Sequence, residues 1–188
     1  MVIFSYDKAR EQIKTGDVLG VRGRGAFPWL TRSVQRIGGL GGQSGITHVG
    51  VAWWVEGRLY SVEMDGWHNV LRPLSQHIAE GCGVDVYRCP VPDTMPAEFD
   101  RATANPIKYS LLDLVKIGAR LIFGGKTGSD DDGDMVCSTF ASRWLQWANW
   151  LPPPGLPAMP SPGELCRALG APAFAIKAAT KRPYFFKE

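Results

Sequence analysis

Residues 136–144 read VCSTFASRW and place a single cysteine, Cys137, between an acidic, glycine-broken loop and an apolar run. A free cysteine is often only a small buried hydrophobic residue. At the start of a helix, however, free backbone N–H groups and the helix dipole stabilise a thiolate, and the same groups can hold an oxyanion during acyl transfer. The segment therefore has two interpretations, a core cysteine or a nucleophile.

The run after Cys137 has the spacing of a helix that packs against a sheet. Asp134 is the predicted N-cap, which puts Cys137 in the first turn. The acidic loop at residues 130–134 would raise the pKa of the thiol unless it faces solvent. The predicted buried face carries Cys137, Phe140, Ala141, Trp144, Leu145 and Ala148.

A nucleophilic cysteine needs a base, and the chain has three histidines. His68 and His77 lie in polar surroundings and are predicted to be ordinary surface residues. His48 instead opens the predicted strand HVGVAWWV, in which side chains alternate between faces. The small residues Gly50 and Ala52 share its face and leave room for another element to approach. His48 is therefore the predicted base.

The next strand supplies acidic partners for His48. A turn centred on residues 56–57 pairs Gly50 with Glu63 and His48 with Asp65. Both acids then share the face of His48, with Glu63 as its diagonal neighbour. Either carboxylate could fix the tautomer of the imidazole, so Glu63 and Asp65 remain alternatives. A register shifted by one residue would destroy this arrangement.

The pattern along the chain predicts one α+β domain over residues 1–188 with a mostly antiparallel sheet. The glycine-rich segment 38–45 is predicted to be a flexible loop. Strands are predicted around residues 16–23, 47–55, 58–64, 69–74, 84–89 and 171–177. Helices are predicted around residues 4–14, 27–37, 75–80, 93–105, 110–123, 136–149 and 161–169, the last with Ser161 as its cap.

The composition argues against several classes of protein. A net charge of +3 with scattered basic residues does not favour nucleic-acid binding. The four cysteines lack the spacing of a zinc site, and neither a metal nor a cofactor is predicted. No segment is apolar and long enough for a membrane span, and the N-terminus does not read as a leader. A cytoplasmic protein is the default expectation, with another export route or a phage origin as alternatives.

Five segments in this order resemble a known family: GDVL, THVGVAWWVEGRLYSVEM, YSLLDL, VCSTFASRW and SPGEL. Between residues 16 and 165 the chain is similar to the permuted papain-like amidases, the YiiX/YaeF-like branch of the NlpC-type cysteine peptidase superfamily. In this branch the histidine strand precedes the cysteine helix, as it does here. The resemblance implies a circularly permuted papain-like fold, with a mostly antiparallel sheet or half-barrel packed against helices.

The resemblance also implies roles for individual residues. Cys137 matches the nucleophile, His48 the general base and Glu63 the acidic third residue, with Asp65 as the alternative. Tyr109 and Ser138 are candidates for oxyanion or substrate contacts.

The implied function is a cysteine-dependent hydrolase that cleaves an amide bond, in a peptide or cell-wall peptide, through a thioester acyl-enzyme and without a cofactor. One alternative is a lipid thioesterase or acyltransferase, with Trp29, Trp54 and Trp67 lining an acyl groove. The other is a non-enzymatic binding module of phage or secretion origin. The expected partner is accordingly a peptide, cell-wall or acyl-containing small substrate.

Overall fold

A computed structural model of the chain describes residues 2–94, 103, 106–125 and 134–178. The seven strands are β1 (Ile3–Phe4), β2 (Val18–Arg22), β3 (His48–Val55), β4 (Arg58–Met64), β5 (Asn69–Pro73), β6 (Gly83–Tyr87) and β7 (Phe174–Ile176).

Six α-helices lie within the described residues. They are α1 (Tyr6–Ala9), α2 (Ala26–Ile37), α3 (Leu74–Ala79), α4 (Leu111–Phe123), α5 (Cys137–Trp147) and α6 (Pro162–Ala168). Short 3-10 turns cover Arg10–Gln12, Gly41–Gly45 and Pro92–Thr94. The predicted helix at 93–105 lies mostly outside the described residues, as does the acidic run at 130–132.

The strands form one open sheet in the order β1-β7-β6-β2-β3-β4-β5. Every neighbouring pair is antiparallel except β1 with β7. The predicted α+β class and the mostly antiparallel sheet are therefore confirmed. The central strands β2 and β3 carry the longest apolar stretches, which explains their position away from the edges.

Both faces of the sheet are covered. On one face α5 packs over β3 and β4, with Phe140 and Trp144 in the same cluster as Val49 and Val51. On the other face α1 and α3 cover a second cluster that includes Ala52.

The β3–β4 hairpin has the register that its sequence predicts. Gly50 pairs with Glu63 and Val55 with Arg58, around a turn in which Gly57 has a φ of 75°. The ladder ends at the Gly50–Glu63 pair, however, so Asp65 does not pair with His48. Asp65 instead accepts hydrogen bonds from its own turn.

Helix α5 begins without the predicted aspartate cap. Its N-cap residue is Val136, and no side chain caps the helix. Asp134 lies two residues further from the helix, because Met135 continues an extended segment that bridges to Tyr109. The prediction of Asp134 as N-cap is wrong, but Cys137 does lie in the first turn. By contrast, the predicted Ser161 cap of α6 is present as a full capping box with Glu164.

The glycine-rich segment is more ordered than its composition suggests. Residues Gly41–Gly45 form a 3-10 turn, where the sequence predicts a flexible loop. The buried side chain of Gln35 holds this turn by donating to the carbonyl oxygens of Ser44 and Ile46. Its Oε1 accepts from the N–H of Gly163, which ties α2 to the start of α6. These bonds fix the position of α2 relative to the 3-10 turn and to α6.

Among the described residues, no helix combines the length and the apolar character that a membrane crossing requires.

Candidate active site

Cys137 and His48 meet where α5 and β3 both begin. The Cys137 thiol lies close enough to the His48 side chain and to the backbone N–H of Val49 for both groups to lower its pKa. Cys137 is 5% exposed, whereas His48 is only half-buried. The fold therefore joins the predicted nucleophile and base at a position that a substrate can reach from the His48 side.

Glu63 stands behind the imidazole. Its Oε2 lies 3.4 Å from His48 Nε2, an ion-pair contact somewhat longer than a good hydrogen bond. Because Nε2 faces the carboxylate, Nδ1 is the ring nitrogen left for the thiol. Asp65, the predicted alternative, is exposed and accepts from the N–H groups of Trp67 and His68. The structure thus brings Glu63, and not Asp65, to His48.

Glu63 is fully buried and held by several neighbours. Ser61 Oγ donates to Oε2 at 2.6 Å, and His77 Nε2 lies 2.9 Å from Oε2 and 3.1 Å from Oε1. Since a carboxylate only accepts, Nε2 of His77 is the donor. Arg72 Nη1 lies 3.7 Å from Oε1. A Cβ at position 50 would overlap Ser61 Oγ, so Gly50 provides the space for this arrangement.

The charges of the three groups support one another. Burial favours the neutral form of Glu63, but the charge of His48 and the hydrogen bond from His77 lower its pKa well below 4.5. Burial likewise opposes the charged form of His48, yet Cys137 and Glu63 outweigh it and raise the pKa well above 6.5. For Cys137, burial raises the pKa, while His48 and the Val49 N–H more than compensate and lower it below 9.0. These opposite shifts favour a thiolate beside an imidazolium over the neutral pair.

The start of α5 provides donors beside the thiolate. The first backbone hydrogen bond of the helix runs from Phe140 N to Val136 O. The N–H groups of Cys137, Ser138 and Thr139 consequently have no acceptor within the helix. The Ser138 hydroxyl is buried and donates to Pro160 O at 2.7 Å. Ser138 can thus contribute its backbone N–H, whereas its side chain anchors the helix start to the segment before α6.

Tyr109 lies on the open side of the pair. Its backbone N–H donates to Trp67 O, and Tyr109 bridges to Met135 just before α5. Burial, and then the charge of Cys137, raise the pKa of the phenol. The hydroxyl therefore keeps its proton and is available as a donor near the thiolate.

An apolar groove of about 400 Å³ opens beside Cys137, between α2 and α4. One wall is the face of α2 with Phe27, Leu30 and Val34, and the other wall is α4, including Val115 and Gly118. The floor near the thiol consists of Val136, Cys137, Ser138, Ser161 and Pro162. Phe27, Leu30 and Val115 are more than half exposed, which is unusual for apolar residues unless the surface binds something.

A second cavity, of about 260 Å³, lies on the other side of His48. Its lining is much more polar than that of the groove and includes Arg24, Asp65, Arg72, His77 and Glu80. His48 and Tyr109 line both cavities, whereas Cys137 lines only the apolar groove. The thiol therefore faces the groove, and the imidazole lies between the two cavities.

Two predictions about this region are wrong. His77 is not a surface residue: it is 4% exposed and hydrogen-bonds Glu63. The sequence did contain a signal for this burial. His77 lies at a helical spacing from the apolar residues Leu74 and Ile78, and α3 packs this face against β4. The tryptophans proposed to line an acyl groove, Trp29, Trp54 and Trp67, are absent from the groove lining. Trp54 instead donates to Ile13 O and stacks under Arg10.

The residues His48, Glu63 and His77 also have the donor types of a metal site, with ligand atoms within 4.8 Å of one another. Both oxygens of Glu63 already accept from His77, and one also accepts from Ser61. The nearby Arg72 adds positive charge. These contacts account for the cluster as a hydrogen-bonded support for the Cys137–His48 pair.

Comparison with protein-family models gives no match for the chain, and comparison with curated proteins gives none either.

Proposed function

We propose that this protein is a cysteine-dependent hydrolase that cleaves an amide bond through a thioester acyl-enzyme. The observation that carries the proposal is the placement of Cys137 and His48 together in the lining of the apolar groove, where the pKa of the thiol is lowered and that of the imidazole is raised. The buried Glu63 behind His48 completes a Cys/His/Glu triad.

In the acylation step, the Cys137 thiolate attacks the substrate carbonyl carbon. Backbone N–H groups at the start of α5, with the Tyr109 hydroxyl, hold the negative oxygen that forms. The His48 imidazolium then gives its proton to the leaving nitrogen, and the carbon–nitrogen bond breaks. Glu63 keeps the imidazole oriented throughout the transfer.

In the deacylation step, neutral His48 takes a proton from water as the water attacks the thioester carbonyl. The carbon–sulfur bond breaks, and the carboxylic acid leaves. The thiolate and the imidazolium are restored.

The resemblance to permuted papain-like amidases supports the amide bond as the target, and it is the basis for expecting a peptide or cell-wall peptide. The Cys/His/Glu chemistry itself serves amide, ester and thioester carbonyls alike. The geometry of the triad therefore argues for the reaction, and the surfaces beside it must select the substrate.

The test is trapping of the acyl-enzyme. The protein is incubated with p-nitrophenyl acetate, and intact-mass spectrometry measures acetylation in the wild type and in Cys137→Ala. Acetylation at Cys137, and its loss in the variant, is the expected result. A chain that is not acylated, or that is acylated equally at Cys82, Cys89 or Cys166, would contradict the proposal and favour a non-enzymatic binding module.

A further inference from the structure

His48 lies between the apolar groove and the more polar cavity, and this position indicates which of the two holds the acyl group of a substrate and which holds the leaving group. In acyl transfer, the acyl group stays on the nucleophile while the leaving group takes its proton from the general acid. Cys137 lines the apolar groove, and His48 is the only member of the pair that lines the polar cavity. The acyl half must therefore lie toward the groove, and the leaving group toward the polar cavity.

The groove has the character of a binding site for a hydrocarbon chain. Both helical walls present aliphatic or aromatic side chains, and most of the polar groups in the lining lie close to the thiol. A volume of about 400 Å³ is within the range of small-molecule pockets. A peptide acyl group would leave its backbone N–H and C=O groups facing these apolar walls without partners, at a cost in binding.

The shape of the groove depends on a glycine in the middle of α4. Gly118 lines the groove, and a Cβ built there meets no atom within 4 Å. Glycine is unfavourable in a helix interior by roughly 0.5–1 kcal/mol relative to alanine. The position therefore keeps space open beside the thiol at a small cost to the stability of the helix.

The buried contacts of α4 keep this wall in place. The guanidinium of Arg120 forms a two-pronged bond with the Glu164 carboxylate of α6, at 2.6 and 2.5 Å. Ser110 caps the start of α4 by accepting from Asp113 N. Leu111 and Leu112, which lie outside the groove lining, stay exposed. The groove is thus a formed feature of the fold, open along one side.

We propose, building on the proposed function, that the substrate is an amphiphile with a long acyl chain and a polar leaving group. The acyl chain lies between α2 and α4, with its carbonyl at Cys137. The polar leaving group lies in the cavity with Arg24, Arg72 and Glu80. The carbonyl carbon bonds to sulfur, the leaving group departs with the proton from His48, and water later releases the fatty acid.

The first experiment varies the acyl chain. Hydrolysis of p-nitrophenyl acetate, butyrate, hexanoate and octanoate is measured below the micellar concentration of each ester. The kcat/KM is expected to rise roughly three- to fourfold with each methylene that the groove buries. A flat or falling series, with Cys137 acetylated normally, would overturn the amphiphile proposal and leave the proposed hydrolase intact. Failure of Cys137 to acylate with any ester would instead contradict the proposed function.

The second experiment narrows the groove. Gly118→Leu adds a side chain into the open space and, by excluding about three methylenes, is expected to lower the octanoate-to-acetate ratio of kcat/KM by about 50-fold. Gly118→Ala adds one carbon and is expected to lower this ratio much less.

A second pair of variants adds a charge. Val115→Asp puts a charge into the groove, whereas Leu112→Asp changes an exposed residue of the same helix outside the lining. Equal ratios for Val115→Asp and Leu112→Asp would overturn the assignment of the groove.

The third experiment identifies the leaving group while the acyl chain is held constant. The substrates are N-octanoylglycine, octanoyl lysophosphatidylglycerol and N-octyl octanamide. Turnover of either polar substrate above that of N-octyl octanamide supports the polar cavity and shows whether an N-acyl amino acid or a lipid headgroup is preferred. Preference for N-octyl octanamide would overturn the polar assignment.

Discussion

At the scale of single residues, the four cysteines have very different surroundings. Burial raises the pKa of the thiols of Cys82 and Cys166, and it raises that of Cys89 to about 11. Cys137 is as buried as most of them, yet its pKa is lowered. The difference comes from the His48 imidazolium and the N–H of Val49, because burial alone would act in the opposite direction. Reactivity should therefore be confined to Cys137.

Alkylation by iodoacetamide measures this difference directly. At neutral pH, Cys137 should be modified much faster than the other three cysteines, as read by peptide mass spectrometry, because its lowered pKa gives it a larger thiolate fraction than theirs. His48→Ala removes the stabilising charge, so the pKa of Cys137 rises and its alkylation profile moves to higher pH. Equal labelling of the four cysteines in the wild type, with no change in His48→Ala, would disprove the activated thiolate.

The two acidic candidates beside His48 can be separated by substitution. Glu63→Gln removes the charge that stabilises the imidazolium, so turnover of p-nitrophenyl acetate should fall by roughly 100-fold or more. Asp65→Asn changes an exposed turn residue and should have a much smaller effect, because its carboxylate bonds only local N–H groups. A larger loss in Asp65→Asn than in Glu63→Gln would reverse the assignment of the third residue.

At the scale of elements, the β3–β4 hairpin and α3 form the support for His48, the proposed base. The hairpin puts His48, Ser61 and Glu63 on one face, because alternate residues of a strand point the same way. Helix α3 then covers that face and places His77 against Glu63. The carboxylate of Glu63 is thus held by Ser61 from the hairpin and by His77 from α3, and it also attracts the imidazole of His48.

His77→Ala tests this support at the level of α3. Losing the hydrogen bonds to a buried carboxylate should lower the free energy of unfolding by about 2 kcal/mol or more, measured by urea denaturation. The alkylation profile of Cys137 should also shift to higher pH, since a less well placed Glu63 stabilises the imidazolium less. His68→Ala is the matched control, because His68 is an exposed histidine. Similar destabilisation in both variants would contradict a supporting role for His77.

The hairpin was the most predictable part of the site. A two-residue turn and the alternation of side chains are local properties, and they determine which residues share a face with His48. The position of α3 was not predictable in the same way, because the burial of His77 depends on how a short helix packs against a strand distant in sequence. The apolar groove likewise requires α2 and α4 to lie side by side, and no local pattern encodes that contact.

The start of α5 also combines a feature that the local sequence predicts with one that depends on a contact to a distant segment. The helical spacing correctly predicts a buried face that begins with Cys137, and Phe140, Ala141, Trp144 and Leu145 are all buried. The aspartate cap was wrong because Met135 pairs with Tyr109 and keeps the chain extended up to Val136. With no capping side chain in α5, its first N–H groups remain directed toward the site. The N-cap Val136 is an unusual residue for this position, and it lies where the proposed oxyanion site needs free N–H groups.

At the scale of the whole molecule, the site lies where layers from both faces of the sheet meet. Helix α5 brings the thiol from one face, and α3 supports the carboxylate from the other. The central strand β3 contributes the histidine at its end, where the sheet no longer separates the two layers. This position is open to the groove on one side and to the polar cavity on the other.

Burying a charged carboxylate at this junction should make the stability of the whole fold depend on pH. The pKa of Glu63 is lowered in the folded protein relative to its ordinary 4.5, so its contribution is complete above pH 4.5 and is lost as the pH falls toward the folded-state value. His48 does not add to the pH dependence of stability below pH 4.5. Its pKa is about 6.5 in the unfolded chain and higher in the folded protein, so it is protonated in both states there.

Urea denaturation across this pH window tests the coupling. The wild type should be more stable than Glu63→Gln by about 3 kcal/mol at neutral pH, because the variant leaves His48 and the buried His77 without their anionic partner. This difference should shrink as the pH falls below 4.5, because the carboxyl of Glu63 then takes up a proton in the unfolded chain while it stays charged in the folded protein. Glu11→Gln, at an exposed glutamate, should follow the wild type throughout. A constant difference between the wild type and Glu63→Gln at every pH would show that Glu63 contributes packing alone. Convergence at low pH would instead show that its charge links the hairpin, α3 and His48 into one cooperative unit.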